Sequence, residues 1–322
     1  MDFFRRLFSS PPEPEKKSPG NEPPPEPVNA QEVRAADPPA EPVSPPVQQE
    51  DGSTRRLPPE TMIAVSNAHL TFGQASDVGT ERTENEDAVL SWLAISSSDD
   101  DLPAFGIFII ADGMGGHEFG EKASAMTVRT VAAEITQAAY VPIVSGKDMQ
   151  EMPPISEILV SAFEKANSAV FTRLGGQCGT TCTTVVVIGD RAYLGHVGDS
   201  RAYLITKDSI EQLTRDHSVI QRLIELGQLT SEEALTHSRR NELYRTLGFK
   251  DTVEVDVMSR RLPSRSSLLV CTDGIWNVVK DDDIMSIVQK NASPQDACNQ
   301  LIALANSRGA NDNVSVVLLR TN

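Results

Sequence analysis

Long apolar runs are missing from this chain of 322 residues. No stretch reaches the roughly 18 apolar residues that a membrane-spanning helix requires, which excludes a helical transmembrane protein. The first ten residues, MDFFRRLFSS, lack the apolar core of a secretory signal. Cysteine is scarce: Cys178, Cys182, Cys271 and Cys298 form no CxxC pair and have no histidine at zinc-finger spacing. That pattern argues against structural zinc and for free thiols in a reducing, cytoplasmic compartment. Positive charge is outnumbered, with 29 Lys and Arg against 45 Asp and Glu and a net charge of -16. A nucleic-acid-binding surface is therefore not expected. No repeat at solenoid spacing is present.

Proline is nearly missing from the body of the chain, since 15 of the 21 prolines precede residue 61. Residues 11–60 mix those prolines with Glu, Ser and Gln and hold too few apolar side chains to build a core. They are expected to form a disordered, Pro-rich linker. Ahead of it, Phe3, Phe4, Leu7 and Phe8 share a helical face beside Arg5 and Arg6. Residues 1–10 are thus open between a frayed terminus, the plainer reading, and a weak membrane or partner anchor. The folded domain is expected over 61–322.

Within that domain, alternating and continuous apolar runs predict strands over 62–72, 87–95 and 105–110. Helical spacing follows over 119–139 and 155–174. The segment TTCTTVVVIGDRAYLGHVGDSRAYLITKDSIEQLT then holds three β-rich stretches separated by Gly189-Asp190 and Gly198-Asp199. Such short connections predict consecutive antiparallel neighbours and disfavour a doubly wound parallel sheet. Residues 217–247 read as a polar helical insertion, capped by Thr230 or Ser231 ahead of Glu232 and Glu233. Strands are expected again at 252–258 and 267–272, helices at 281–290 and 294–307, and a last strand in NVSVVLLR. Helix pairs between runs of antiparallel strands indicate an α+β layered sandwich.

Acidic residues stand beside the turns that end several of these strands: Glu86 and Asp87, Asp112, Asp199, Asp273 and Asp312. A carboxylate next to buried strands is costly unless it is paired or holds a cation. Asp112 precedes Gly113-Met114-Gly115-Gly116, where a main-chain carbonyl could join the side chain on one ion. Taken alone, Asp112 fits an ordinary Asp-Gly turn equally well. Three strand-end aspartates, Asp112, Asp273 and Asp312, offer hard oxygen ligands suited to Mg²⁺ or Mn²⁺. Arg82 lies four residues before Glu86. In isolation it is read first as a structural ion pair and second as a bidentate phosphate ligand. His196 reads as a packed strand histidine, and Trp92 and Trp276 as core.

Seven motifs then occur in order over residues 65–320: RTENEDA, ADGMGGH with GEKAS, GTT, VGDSRAYL, LTRDHS, CTDGIW and NDNVSVV. In this the chain resembles the metal-dependent type 2C (PPM) serine/threonine protein phosphatases, and DGMGGH with the HSRRN insertion resembles their bacterial branch. The resemblance implies a four-layer α-β-β-α sandwich of two antiparallel sheets, with residues 215–247 as a flap. It implies two Mn²⁺ or Mg²⁺ ions bridged by Asp112. Asp273 and Asp312 serve one ion, and the Gly113 carbonyl with Glu86 and Asp87 serves the other. Asp199 matches a third, weaker position, Asn313 supports the ligands, and Arg82 holds the phosphate. The implied reaction is hydrolysis of phosphoserine and phosphothreonine in proteins by a water activated between the ions, opposing a serine/threonine kinase, by a monomer. The histidine that eukaryotic members carry after the bridging Asp-Gly is replaced here by Met114, so no side-chain general acid is implied. The alternative is a catalytically silent phosphoprotein-binding sensor of the same fold. Such relatives lose metal ligands, and every expected acidic position is present.

Overall fold

The computed structural model describes residues 70–96, 102–115, 118–234 and 237–321. The expectations for residues 1–60, and for a strand over 62–69, lie outside the described residues. In chain order the strands are β1 (Leu70–Asp77), β2 (Asp87–Ala94), β3 (Phe105–Met114), β4 (Gly179–Thr180), β5 (Cys182–Ile188), β6 (Arg191–Val197), β7 (Arg201–Ile205), β8 (Ile210–Gln212), β9 (Asp256–Arg261), β10 (Ser267–Cys271) and β11 (Val314–Thr321). The α-helices are α1 (Glu118–Ile135), α2 (Val141–Val144), α3 (Ile155–Leu174), α4 (Val219–Glu225), α5 (Ser231–Ala234), α6 (Asp273–Trp276), α7 (Asp281–Lys290) and α8 (Pro294–Ser307). One sheet runs β1-β11-β10-β7-β8, the other β2-β3-β5-β6-β9 with β4 beside β3. Every ladder is antiparallel.

Period-two alternation along the strands sorts the core into three interfaces. In β3, Ile107, Ile109 and Ala111 point to α1 and α3, where Val131, Leu159 and Phe163 meet them. Phe108 and Ile110 point the other way, into an inter-sheet core with Val185, Leu194, Val270 and Val317. In β11, Val316 and Leu318 face α7 and α8 through Ile284 and Leu301, while Val317 and Leu319 face the opposite sheet. Three apolar interfaces require four layers, helix, sheet, sheet and helix, as the sequence predicts.

Helix limits follow local chemistry. Buried Ile155, Ile158, Leu159, Ala162, Phe163, Ala166 and Val170 give α3 its core-facing stripe, and Gly175 ends it with φ 68°. Ser293 caps α8 by accepting from Asp296 N at 3.2 Å, with Pro294 at the first position. The expected helix over 119–139 is α1 followed by a π-helical turn at Thr136–Tyr140. The insertion is less helical than its polar pattern suggests, with α4 and α5 separated by turns. Its cap is Thr230, whose hydroxyl accepts from Glu233 N at 3.2 Å while Glu233 Oε2 accepts from Thr230 N at 2.9 Å.

Two expectations are corrected. The strand placed at 252–258 is β9, beginning at Asp256, because β6 supplies partners only from Arg191, opposite Arg261, to His196, opposite Asp256. The three strands expected as consecutive neighbours are not so. Gly189-Asp190 does close the β5–β6 hairpin. Gly198-Asp199, however, carries the chain out of one sheet into the other, since β7 pairs with β10 and β8. Gly198 has φ 114°, and a Cβ there would lie 2.5 Å from the Thr181 side chain. Only glycine fits this crossing. It leaves Asp199 in the seam between the sheets.

Candidate metal centre

Five chain segments bring acidic side chains to one end of that seam. Asp87 opens β2 and stands opposite Asp112 of β3 in register. Asp112 does not sit in a turn, as its Asp-Gly sequence suggests, because β3 continues through Gly113 and Met114. The hydroxyls of Thr180 and Thr181 and the Thr181 amide hold it there. Asp112 N donates to Thr181 Oγ1 at 2.9 Å, and Asp112 O accepts from Thr180 Oγ1 at 2.8 Å and from Thr181 N at 2.9 Å. Gly113 is required by crowding, since a Cβ would meet Gly120 O at 2.2 Å and Glu86 O at 2.8 Å. Asp199 is buried in the sheet-to-sheet crossing. Asp273 begins α6, just after Thr272, whose hydroxyl donates to Asp87 Oδ2 at 3.0 Å.

Asp312 and Arg82 form the rim. Arg82 Nη2 donates to Asp312 Oδ2 at 2.9 Å, and its Nη1 lies 3.9 Å from Glu86 Oε2. Asn313 staples this rim together. Its Oδ1 accepts from Glu86 N at 2.8 Å, while Nδ2 donates to Val78 O and Glu84 O at 3.0 and 2.9 Å. Glu86 itself is buried, and its carbonyl accepts from Ser124 Oγ at 2.6 Å.

The carboxylates feel one another. Burial, reinforced by Asp273 and Asp312, pushes Asp87 up to about 7 despite the Thr272 hydroxyl. Asp112 is held well above the ordinary carboxylate range by burial and then by Asp87, Asp273, Asp199 and Asp312. Burial, followed by Asp273 and Asp216, does the same to Asp199. Burial and Asp312 raise Asp273 to about 6. Arg82 loses some hydration, but Asp312, Glu86 and Asp112 outweigh that and raise its pKa. Such mutual repulsion is relieved by a cation.

The donor set fits a hard divalent ion. Asp87 Oδ1 and Asp273 Oδ1 are buried without a hydrogen-bond partner, and the surrounding donors are oxygens, with no cysteine or histidine among the predicted ligands. Among the described residues, no three His, Cys, Asp or Glu side chains are already closed around a common point. The arrangement is an open, acidic end wall rather than a finished cage.

Comparison with known proteins decides the family. The family model described as Protein phosphatase 2C matches residues 81–307. The chain belongs to the protein phosphatase 2C family. It is 32% identical over 253 residues to the serine/threonine phosphatase stp of Listeria welshimeri, covering 77% of this chain and 94% of that protein. The structure of the serine/threonine phosphatase of S. agalactiae superposes with a TM-score of 0.69 at 30% identity, covering 79% of this chain and 100% of that one. The catalytic domain of the phosphatase PstP, solved in complex with 2 manganese ions, gives a TM-score of 0.63 at 29% identity over 78% and 98% of the two chains.

In this 2C-family chain, several residues that shape the site carry no charge: Thr180, Thr181 and Thr272 were not singled out from the sequence, and Trp276 was read only as core. Thr180 and Thr181 fix Asp112, Thr272 holds Asp87, and Trp276 Nε1 donates to Asp199 O at 3.1 Å. A hydroxyl or ring N–H beside each acidic motif is the only local signal. His196 is buried in β6, as its strand context predicts, and Trp92 packs between Phe105 and Tyr140.

Proposed function

We propose that this chain is a metal-dependent protein serine/threonine phosphatase that hydrolyses phosphoserine and phosphothreonine in proteins and so opposes a serine/threonine kinase. The observation that carries the reading is the convergence of Asp87, Asp112, Asp199, Asp273 and Asp312 at one seam with Arg82 on its rim. The named relatives are serine/threonine phosphatases, and one of them binds two manganese ions.

In this proposal Asp112, Asp273 and Asp312 hold one cation, and Asp112, Glu86, Asp87 and the Gly113 carbonyl hold a second. Asp199 contributes to a weaker outer position. The ion is Mn²⁺ or Mg²⁺. When bound, such ions supply Lewis acidity toward phosphoryl oxygens and lower the pKa of water. Arg82 orients the phosphate, its planar guanidinium pairing with two oxygens and neutralising charge that develops in the transition state. Its exposed position at the rim, tethered by Asp312, suits that exchange of partners. Asn313 keeps the Glu86 loop in place.

A thiol nucleophile has no support. The four cysteines are free and buried, and burial raises Cys182 and Cys298 to about 12. Free thiols fit a reducing compartment. Among the described residues, no helix is long and apolar enough to cross a membrane. Residues 215–247, with two short helices beside the cleft, form the flap that tunes substrate choice.

The test is release of phosphate from a phosphothreonine peptide. Activity is expected with Mn²⁺, lost with EDTA, and reduced by at least about 100-fold in Asp112→Ala and Asp273→Asn, as for loss of a principal electrostatic group. Undiminished hydrolysis by either variant refutes the assigned centre. Tight Mn²⁺ binding without any turnover would instead favour a silent, phosphoprotein-binding domain.

A further inference from the structure

The Gly198-Asp199 crossing is gripped from two sides by residues that bear no formal role in the proposed reaction. On one side is the base of the flap. His217 N donates to Gly198 O at 2.7 Å, and Gly198 N donates back to His217 Nδ1 at 3.0 Å. A ring nitrogen that accepts carries no proton, so Nε2 bears the hydrogen and donates it to Asp256 Oδ2 at 3.1 Å. Asp256 Oδ1 also accepts from Arg245 Nη1 at 2.6 Å. The 3.1 Å approach of Arg245 Nη1 to His217 Nε2 is therefore two donors sharing one carboxylate. The far end of the flap returns to the same point, where Tyr244 N donates to His217 O at 2.9 Å.

On the other side stands Trp276. It lies one turn along the helix that begins with Asp273, and its Nε1 donates to Asp199 O at 3.1 Å. The Arg201 guanidinium covers the indole, 3.7 Å from the ring centroid. Asp216 fixes that guanidinium through Nε and Nη2, at 3.1 and 2.7 Å to Oδ2. Trp276 thus ties the backbone of Asp199 to the helix that presents Asp273. His217 ties the preceding peptide to both ends of the flap.

We infer that His217 and Trp276 are positioning residues for Asp199, coupling the flap base and the Asp273 helix to the outer cation position. This rests on the reading of Asp199 as a cation ligand. A ligand carboxylate is only as well placed as its backbone, and groups behind the ligands govern affinity as ligands themselves do. Here both flanking backbone groups of the Asp199 turn are held by side chains from distant segments. Movement of the flap base is transmitted to Asp199 through the paired His217–Gly198 bonds, while Asp87 and Asp112, set by the β2–β3 ladder, are left in place. A merely structural role for these bonds would change folding stability without distinguishing one class of cation from another.

The experiment is a Mn²⁺ titration of the full chain, with the free ion counted by its electron paramagnetic resonance signal. The wild type is expected to show a tight class and a weaker class that Asp199→Asn removes. Trp276→Phe keeps an aromatic ring under Arg201 and deletes the N–H together with part of the indole. His217→Leu deletes the acceptor, and His217→Asn restores an acceptor near the Nδ1 position. Trp276→Phe and His217→Leu should weaken the weaker class about tenfold or more with the tight class unchanged, the range seen for such supporting groups. His217→Asn should lie near the wild type. An unchanged weaker class in folded Trp276→Phe overturns the inference, as does equal weakening of both classes, or a weaker class that survives Asp199→Asn. A wild type that binds no Mn²⁺ overturns the underlying reading itself, a different result from binding that the variants leave untouched.

Discussion

Asp87 and Asp112 stand directly opposite one another in the β2–β3 register. Like charges so placed destabilise a ladder, and Asp273 and Asp312 add to the repulsion felt by both. The sign follows from Asp87, whose folded pKa of about 7 lies above the ordinary carboxylate value of 3.8. Its contribution is fully favourable below that ordinary value and is lost as pH rises through about 7. In EDTA at pH 7.5, Asp87→Asn should therefore be more stable than the wild type by about 1–3 kcal/mol. Saturating Mn²⁺ should reverse the order, because a ligand at about a hundredfold over its Kd adds about 2.7 kcal/mol to the protein that binds it. Urea unfolding with and without EDTA measures both. A less stable Asn variant in EDTA contradicts the electrostatic reading.

Arg82 reaches Asp312 at 2.9 Å yet keeps its side chain 47% exposed, so it is held at the rim without being buried in a fixed pair. Hydrogen bonds to charged groups are worth about 1.5–3 kcal/mol. Arg82→Ala should accordingly lower kcat/KM for a phosphothreonine peptide about 10- to 100-fold, much of it in KM. Arg82→Lys should recover only part, since an ammonium cannot make the two-pronged contact. Unchanged KM in Arg82→Ala would show the arginine to be purely a partner of Asp312.

The sequence made the helices legible where apolar spacing and end signals coincide, as in α3, from Ile155 to Leu174, and α8, from Pro294 to Ser307. It also marked the acidic positions, because a carboxylate after an apolar run is locally unusual. It did not distinguish Gly189-Asp190 from Gly198-Asp199. One pair closes a hairpin and the other changes sheets, a difference set by which distant strands complete the ladders. The supporting shell was hidden for the same reason. Thr181, Thr272, His217 and Trp276 act through hydrogen bonds to residues between 19 and 185 positions away, and their immediate neighbours do not name those partners.

Every residue proposed to act on substrate or cation lies between Arg82 and Asn313. Deleting residues 2–56 should leave kcat/KM for a short phosphopeptide within about twofold of the full chain, the scatter expected of changes remote from the chemistry. A large loss in the truncated protein would assign the arm a part in catalysis.

His196 supplies a pH signature separate from the carboxylates. It is 2% exposed, with Nδ1 2.9 Å from Thr183 Oγ1 and Nε2 3.1 Å from Arg215 O. A carbonyl can only accept, so Nε2 carries the proton and Nδ1 accepts from the threonine. Burial, aided by His217, lowers its pKa to about 3. In the unfolded chain the same group titrates near 6.5, so below that pH the unfolded state binds the extra proton. The stability from keeping this imidazole neutral is present above about 6.5 and is lost as pH falls toward 3, at up to about 1.4 kcal/mol per unit. Against His196→Gln, the wild type should lose about 3 kcal/mol of relative stability between pH 6.5 and 4. Both proteins carry the same carboxylate cluster, so its opposite trend cancels in the difference. Urea unfolding across that range gives the measurement, and a difference that does not vary with pH would mean that His196 takes up its proton in the folded protein as readily as in the unfolded chain.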